Sequence, residues 1–118
     1  MKVIKSSIIY ENPLPQLRSR HSFFPNIAQL KDGTLVAVHV IGEAFESVDS
    51  KSYICFSRDG GESWSTSARI FDHGENEKIY TEYAKITSSG NNSIFIAFDC
   101  FNQLTYSIEY CNLSHIFT

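Results

Sequence analysis

Apolar residues in this chain come in short runs broken by Gly, Pro, Asn, Asp and Ser, and they nowhere recur at the spacing of a helical face. The strongest signal is a hairpin. Asn26–Leu30 and Thr34–Val40 flank Lys31-Asp32-Gly33, and Asp-Gly between two apolar runs favours a tight turn because Gly accepts a positive φ. Leu35–Ile41 is apolar almost throughout, which predicts a central strand covered on both faces. Tyr53–Phe56 predicts a third strand, Asp59-Gly60-Gly61 turns it, and Ala68–Phe71 is its return partner. Gly42–Lys51 reads as a polar loop carrying Glu43, Glu46 and Asp49.

The pattern then starts again. Tyr83–Ile86, a longer turn at Ser88–Asn92 and Ser93–Phe98 repeat the first hairpin, and Leu104–Glu109 stands where Tyr53–Phe56 stood. Ala28 and Ala84 are 56 residues apart, and Ala37 and Ala97 are 60 apart. A period of about 50–60 residues, with four short antiparallel strands per unit, is the mark of propeller blades. The expected fold is therefore all-β, with two four-stranded antiparallel blades that are incomplete as a ring in one chain. The single partial domain covers 1–118, with a first blade over about 22–72 and an unfinished second over about 80–118. A further strand over Val3–Ile9 is separated from the first hairpin by Pro13 and Pro15.

Composition narrows the function classes. Lys and Arg number 10 and Asp and Glu 13, a net charge of −3, so no basic surface favours nucleic acid or an anionic membrane. No apolar run approaches the roughly 20 residues of a membrane span, and the N-terminal apolar stretch is too short for a secretory signal. The expected compartment is the cytoplasm. Nine Phe and 6 Tyr in 118 residues favour β-structure. Cys55, Cys100 and Cys111 show no Cys-x-x-Cys spacing, and His21, His39, His73 and His115 are scattered, so no metal and no cofactor are expected. Cys55 and Cys100 sit in apolar stretches and read as buried.

Ser57-Arg58-Asp59-Gly60-Gly61-Glu62-Ser63-Trp64 has its own local logic. Ser57 and Asp59 can both bond backbone groups inside one turn. Gly61 permits a conformation closed to other residues, and Trp64 folds back over the turn. Such a locked hairpin would join the third and fourth strands of a blade. These residues resemble the Asp-box, the Ser-x-Asp-x-Gly-x-(Thr/Ser)-Trp repeat of the sialidase (neuraminidase) superfamily, at Ser57, Asp59, Gly61, Ser63 and Trp64. Phe24-Pro25, Leu30–Ala37 and the acidic loop precede it in the order the superfamily shows, so the resemblance spans about residues 18–72.

The resemblance implies a six-bladed β-propeller that removes terminal sialic acid from glycans, with the Asp-box serving stability and catalysis at the opposite end. The arginine that typical sialidases place beside Ile-Pro is replaced by Phe23 in Phe23-Phe24-Pro25, leaving Arg18 or Arg20 to reach a substrate carboxylate. Asp49, eight residues before Ser57, is the acid/base candidate, a part-desolvated carboxyl with a raised pKa. Glu46 and His21 complete a set that resembles more divergent relatives. The nucleophilic Tyr of the family, its partner Glu and two further arginines are not supplied as a set. The arginines are Arg18, Arg20, Arg58 and Arg69 alone, and Tyr80, Tyr83, Tyr106 and Tyr110 are equally well strand or core residues. The expectation is a sialidase-like glycoside hydrolase fragment, acting on a terminal sialic acid or related sugar, inactive as an isolated chain. The alternatives are a lectin-like propeller module, completed by homo-oligomerisation of three two-blade copies with aromatic rings stacking on sugars, and a structural remnant without a ligand.

Overall fold

In the first hairpin β1 (His21–Gln29) and β2 (Leu35–Gly42) pair antiparallel around the Asp-Gly turn, with Gly33 at φ 90°. The computed structural model describes residues 1–89 and 93–110, apart from the side chains of Glu109 and Tyr110. β3 (Lys51–Ser57) pairs with β2, and β4 (Ala68–Arg69) with β3, giving a four-stranded sheet in the order β1-β2-β3-β4. A connection with one 3₁₀ turn at Gly74–Asn76 leads to β5 (Tyr80–Ser88), β6 (Ile94–Asn102) and β7 (Ser107–Tyr110), a second antiparallel sheet. The chain is all-β, as its pattern predicted.

The two hairpins share one register. Ala28 faces Val36 in the first and Thr87 faces Phe95 in the second, 59 residues on in each strand. Both close alike, by Leu30 N–H to Thr34 O at 2.8 Å and Ser89 N–H to Ser93 O at 3.0 Å. The second turn is thus equal in length to the first, not longer. The register corrects the unequal alanine spacings, because the alanines are not equivalent positions. β1 differs from β5 at one place, a bulge between Phe23 and Asn26. Pro25 offers no N–H to the ladder, and Phe24 takes up the extra residue at φ 51°.

The sheets pack face to face. β6 alternates strictly, with Ile94, Ile96, Phe98 and Cys100 buried and Phe95, Ala97 and Asp99 exposed, the period-2 pattern of a half-buried strand. The buried row meets Ala28, Val36, Val38 and Ile54 from the first sheet, with Phe71 and Tyr80 at the margin. Burying a Phe such as Phe98 contributes about 1.5–3 kcal/mol. β2 is buried on both sides, as its apolar run predicted. Its second face presents Ala37, His39 and Ile41. There His39 hydrogen-bonds Ser22 Oγ at 2.8 Å and Ser67 Oγ at 2.9 Å, beside the rings of Tyr10 and Tyr53.

A buried polar lock joins the sheets. Glu82 is fully buried on β5 and accepts Ser52 N–H at 2.6 Å, Arg69 Nη2 at 3.1 Å and a bond with His73 Nε2 at 2.7 Å. Lys51 donates to the carbonyls of Val48, Glu77 and Tyr80. Each buried charge is thereby surrounded by partners, the condition under which burial is tolerated.

Residues 3–9 form no strand. Val3, Ile4 and Ile8 stay exposed, and the segment pairs with no strand edge, without which a strand's backbone groups have no partners. It crosses the β3–β4 hairpin instead. Cys55 and Cys100 are buried, as expected, while Cys111 and His115 lie outside the described residues. So does the stretch after Tyr110 in which the second unit would end. Among the described residues no helix is long and apolar enough to cross a membrane.

Candidate functional site

The register puts the candidate loops and the Ser57–Trp64 turn at opposite ends of the first sheet. Ser57, where that turn begins, faces Leu35, whereas Lys51, where the acidic loop ends, faces Ile41. At the turn end Ser57 Oγ donates to Asp59 Oδ1 at 2.8 Å and accepts Gly61 N–H at 2.9 Å. Asp59 also accepts Ser63 N–H at 2.9 Å and the Ser63 hydroxyl. The Ser63 hydroxyl and amide and the Ser57 hydroxyl together hold the Asp59 carboxyl far below the usual carboxylate range. Gly61 has φ 89°. Trp64 donates its indole N–H to Ser7 Oγ at 3.2 Å. These five residues build a turn joining β3 to β4, as their motif implied.

At the other end, Gly42 opens the acidic loop where a Cβ would collide with Ser50. Asp49 organises the rest of that loop. Its carboxylate accepts Ser47 Oγ at 2.5 Å, Glu43 N–H at 3.1 Å and Arg20 Nη1 at 2.8 Å. Partial burial raises its pKa, but the Ser47 hydroxyl, the Glu43 amide and the Arg20 guanidinium outweigh it, and the net direction is down. That is opposite to the raised value expected of a resting general acid. Arg20 is thus tied to Asp49, and the two line a hollow of about 250 Å³ with Lys51, Tyr53, Arg69 and Glu77. Arg18 instead forms a 3.5 Å surface pair with Glu43. His21 stands apart at the exposed start of β1, bonded to Ser19 Oγ at 2.8 Å and beside Phe23.

Glu46 turns the other way. It adopts φ 59° and lines one hollow with Tyr83 on β5, whose pKa is pushed up to about 12 by burial first and then by the nearby Glu46 charge. The sequence set therefore divides: Asp49 and Arg20 are brought together, while His21, Arg18 and Glu46 are not part of that group. Around Tyr83 the structure assembles residues the sequence did not select. Hollows of about 330 and 410 Å³ share Tyr83 and Asp99, the first also lined by Glu46, Phe101 and Ile108, the second by Phe24, Pro25 and Lys85. Phe24 packs edge-on to Tyr83 at 5.5 Å and against Phe45 at 5.7 Å.

Among the described residues, two of the three non-glycine residues with positive φ, Phe24 and Glu46, line this cleft. Such backbone costs about 1–3 kcal/mol per residue and collects at binding sites. Asp99 left no signal in the sequence, since a polar residue is ordinary on the open face of an alternating strand. Among the described residues no three His, Cys, Asp or Glu side chains gather as a metal site. No family model, no curated protein and no solved structure matches the chain.

Proposed function

We propose that the chain is a two-blade portion of a sialidase-like β-propeller and that the cleft around Tyr83 binds a neutral sugar. The observation that carries the reading is the cleft itself, two hollows that share Tyr83 and Asp99, with Glu46 and the Phe101 ring lining one and the Phe24 ring the other. Apolar walls with a few convergent polar groups are the general form of a small-molecule site. A sugar offers such a site both of its chemistries, an apolar C–H face for the rings and hydroxyl donors for Glu46 and Asp99. The propeller part rests on the Asp-box turn, on its place between the third and fourth strands, and on the shared hairpin register.

The charge in the cleft selects among sugars. Among the described residues Glu46 and Asp99 face Lys85 alone as a lining cation, so a sialic-acid carboxylate would meet net repulsion. Arg20, the expected carboxylate ligand, is engaged by Asp49 in a different hollow. Tyr83 with Glu46 resembles the Tyr and Glu pair of the family, yet Asp49, the expected proton donor, lines the hollow of Arg20. The isolated chain on this reading binds without turnover. The buried thiol of Cys55 fits a reducing compartment, the cytoplasm.

A glycan array probed with the labelled chain tests this. Neutral glycans should bind and sialylated ones should not. Asp99→Asn and Tyr83→Phe should each weaken binding by about tenfold or more, the effect of losing one hydrogen bond of about 1.4 kcal/mol. Binding to no glycan, or to sialylated glycans only, would sink the proposal.

A further inference from the structure

The common register also relates the outer faces of the two sheets. On the first sheet, the residues that receive the second include Ala28, Val36 and Val38. Carried forward by the 59-residue equivalence, they become Thr87, Phe95 and Ala97 on the outward face of the second sheet. Phe95 is 44 % exposed there and Ile108 59 %. Conversely, the row the second sheet buries, Ile94, Ile96 and Phe98, becomes Leu35, Ala37 and His39 on the first sheet's other face. One end of the molecule therefore presents an open face at the positions that receive a sheet in the first, and the other carries the positions equivalent to the seated row.

That second face is not open. The N-terminal segment runs along it. Lys5 pairs with Glu62, Ser7 Oγ donates to Gly61 O, Trp64 donates to Ser7 Oγ at 3.2 Å, and the Tyr10 ring lies 6.0 Å from His39. The attachment is slight: Lys5 and Glu62 are 54 % and 63 % exposed, a pair worth about 0–1 kcal/mol, and Val3, Ile4 and Ile8 are left in solvent.

We propose that residues 5–10 are a strap over a self-docking face, and that its release lets the outward face of the second sheet in one copy seat on the first sheet of the next. The partner is a second copy because the strand positions equivalent to the row seated inside the molecule recur on the other face of this chain's first sheet. The contact is heterologous, head to tail, so it propagates to a ring or an open chain. The seated copy also covers Asp99 and Phe101, closing the sugar cleft. The assembly itself does not depend on the sugar reading, and its test reads mass alone.

Light scattering on the full chain provides that test. The wild type should run near 13.4 kDa at low concentration. Lys5→Glu with Tyr10→Ser should shift it to integer multiples, and Phe95→Glu added to that pair should return it to the monomer. A folded strap variant that stays monomeric at every concentration, or association that Phe95→Glu leaves unchanged, would overturn the proposal. Emission from Trp64, the sole tryptophan, is the second readout and needs no variant. Concentrating the wild type until it associates should shift Trp64 emission as Ser7 leaves it. Association with unchanged emission also overturns the strap.

Discussion

Glu82→Ala should be among the most damaging single substitutions in the chain. The carboxylate is fully buried, and Ser52 N–H, Arg69 and His73 all converge on it. Truncation strands a backbone donor, which costs about 1–3 kcal/mol, and leaves a part-buried guanidinium with Glu77 as its remaining acidic partner. Breaking one side of a buried pair costs about 3–5 kcal/mol in total, a large part of a domain stability of roughly 5–15 kcal/mol. With a urea slope of about 2 kcal/mol per molar, the unfolding midpoint should fall by about 2 M. Glu82→Gln keeps one acceptor oxygen and should lose about half as much. Urea unfolding followed by circular dichroism measures both, and Arg69→Ala with Glu82→Ala closes a double-mutant cycle with coupling of about 0.5–3 kcal/mol. A Glu82→Ala loss under about 1 kcal/mol at unchanged slope would refute the lock that joins the two sheets.

Two further outcomes concern single sites. Gly61→Ala places its Cβ 3.5 Å from Leu35 and 3.8 Å from Trp64, ordinary contacts, so its loss should be the left-handed strain alone, about 1–2 kcal/mol in thermal unfolding. Burial lowers the His39 pKa below 6.5, so the unfolded chain takes up the proton more readily. Stability should be full above about pH 6.5 and fall as pH drops toward the folded-state value. Thermal melts across that range should show the slope, and His39→Gln should flatten it.

The local parts of the fold were legible in sequence. The Asp32-Gly33 turn, the apolar β2 and the alternation in β6 are set by neighbours along the chain, and the stretch Ser57–Trp64 encodes its hydrogen bonds within eight residues. What was not legible is long-range. Glu82 finds its partners 9 to 30 residues away, and nothing near it in sequence marks it as buried. The segment 3–9 has the apolar character of a strand but no edge to pair with. Glu46 and Asp49 sit three residues apart, yet the positive φ at Glu46 sends them to different hollows. Tyr83 was one of several interchangeable tyrosines until β5 brought it to Glu46, and Asp99 gained meaning only from the sheet face it shares with Phe101.

The sugar cleft is tested most directly by amide chemical-shift mapping of the chain during titration with a neutral glycan. The account predicts saturable shifts confined to Phe24, Glu46, Tyr83, Asp99 and Phe101, absent in Asp99→Asn. Shifts centred instead on Arg20, Lys51 and Arg69, or no saturable shifts with any neutral glycan, would contradict it.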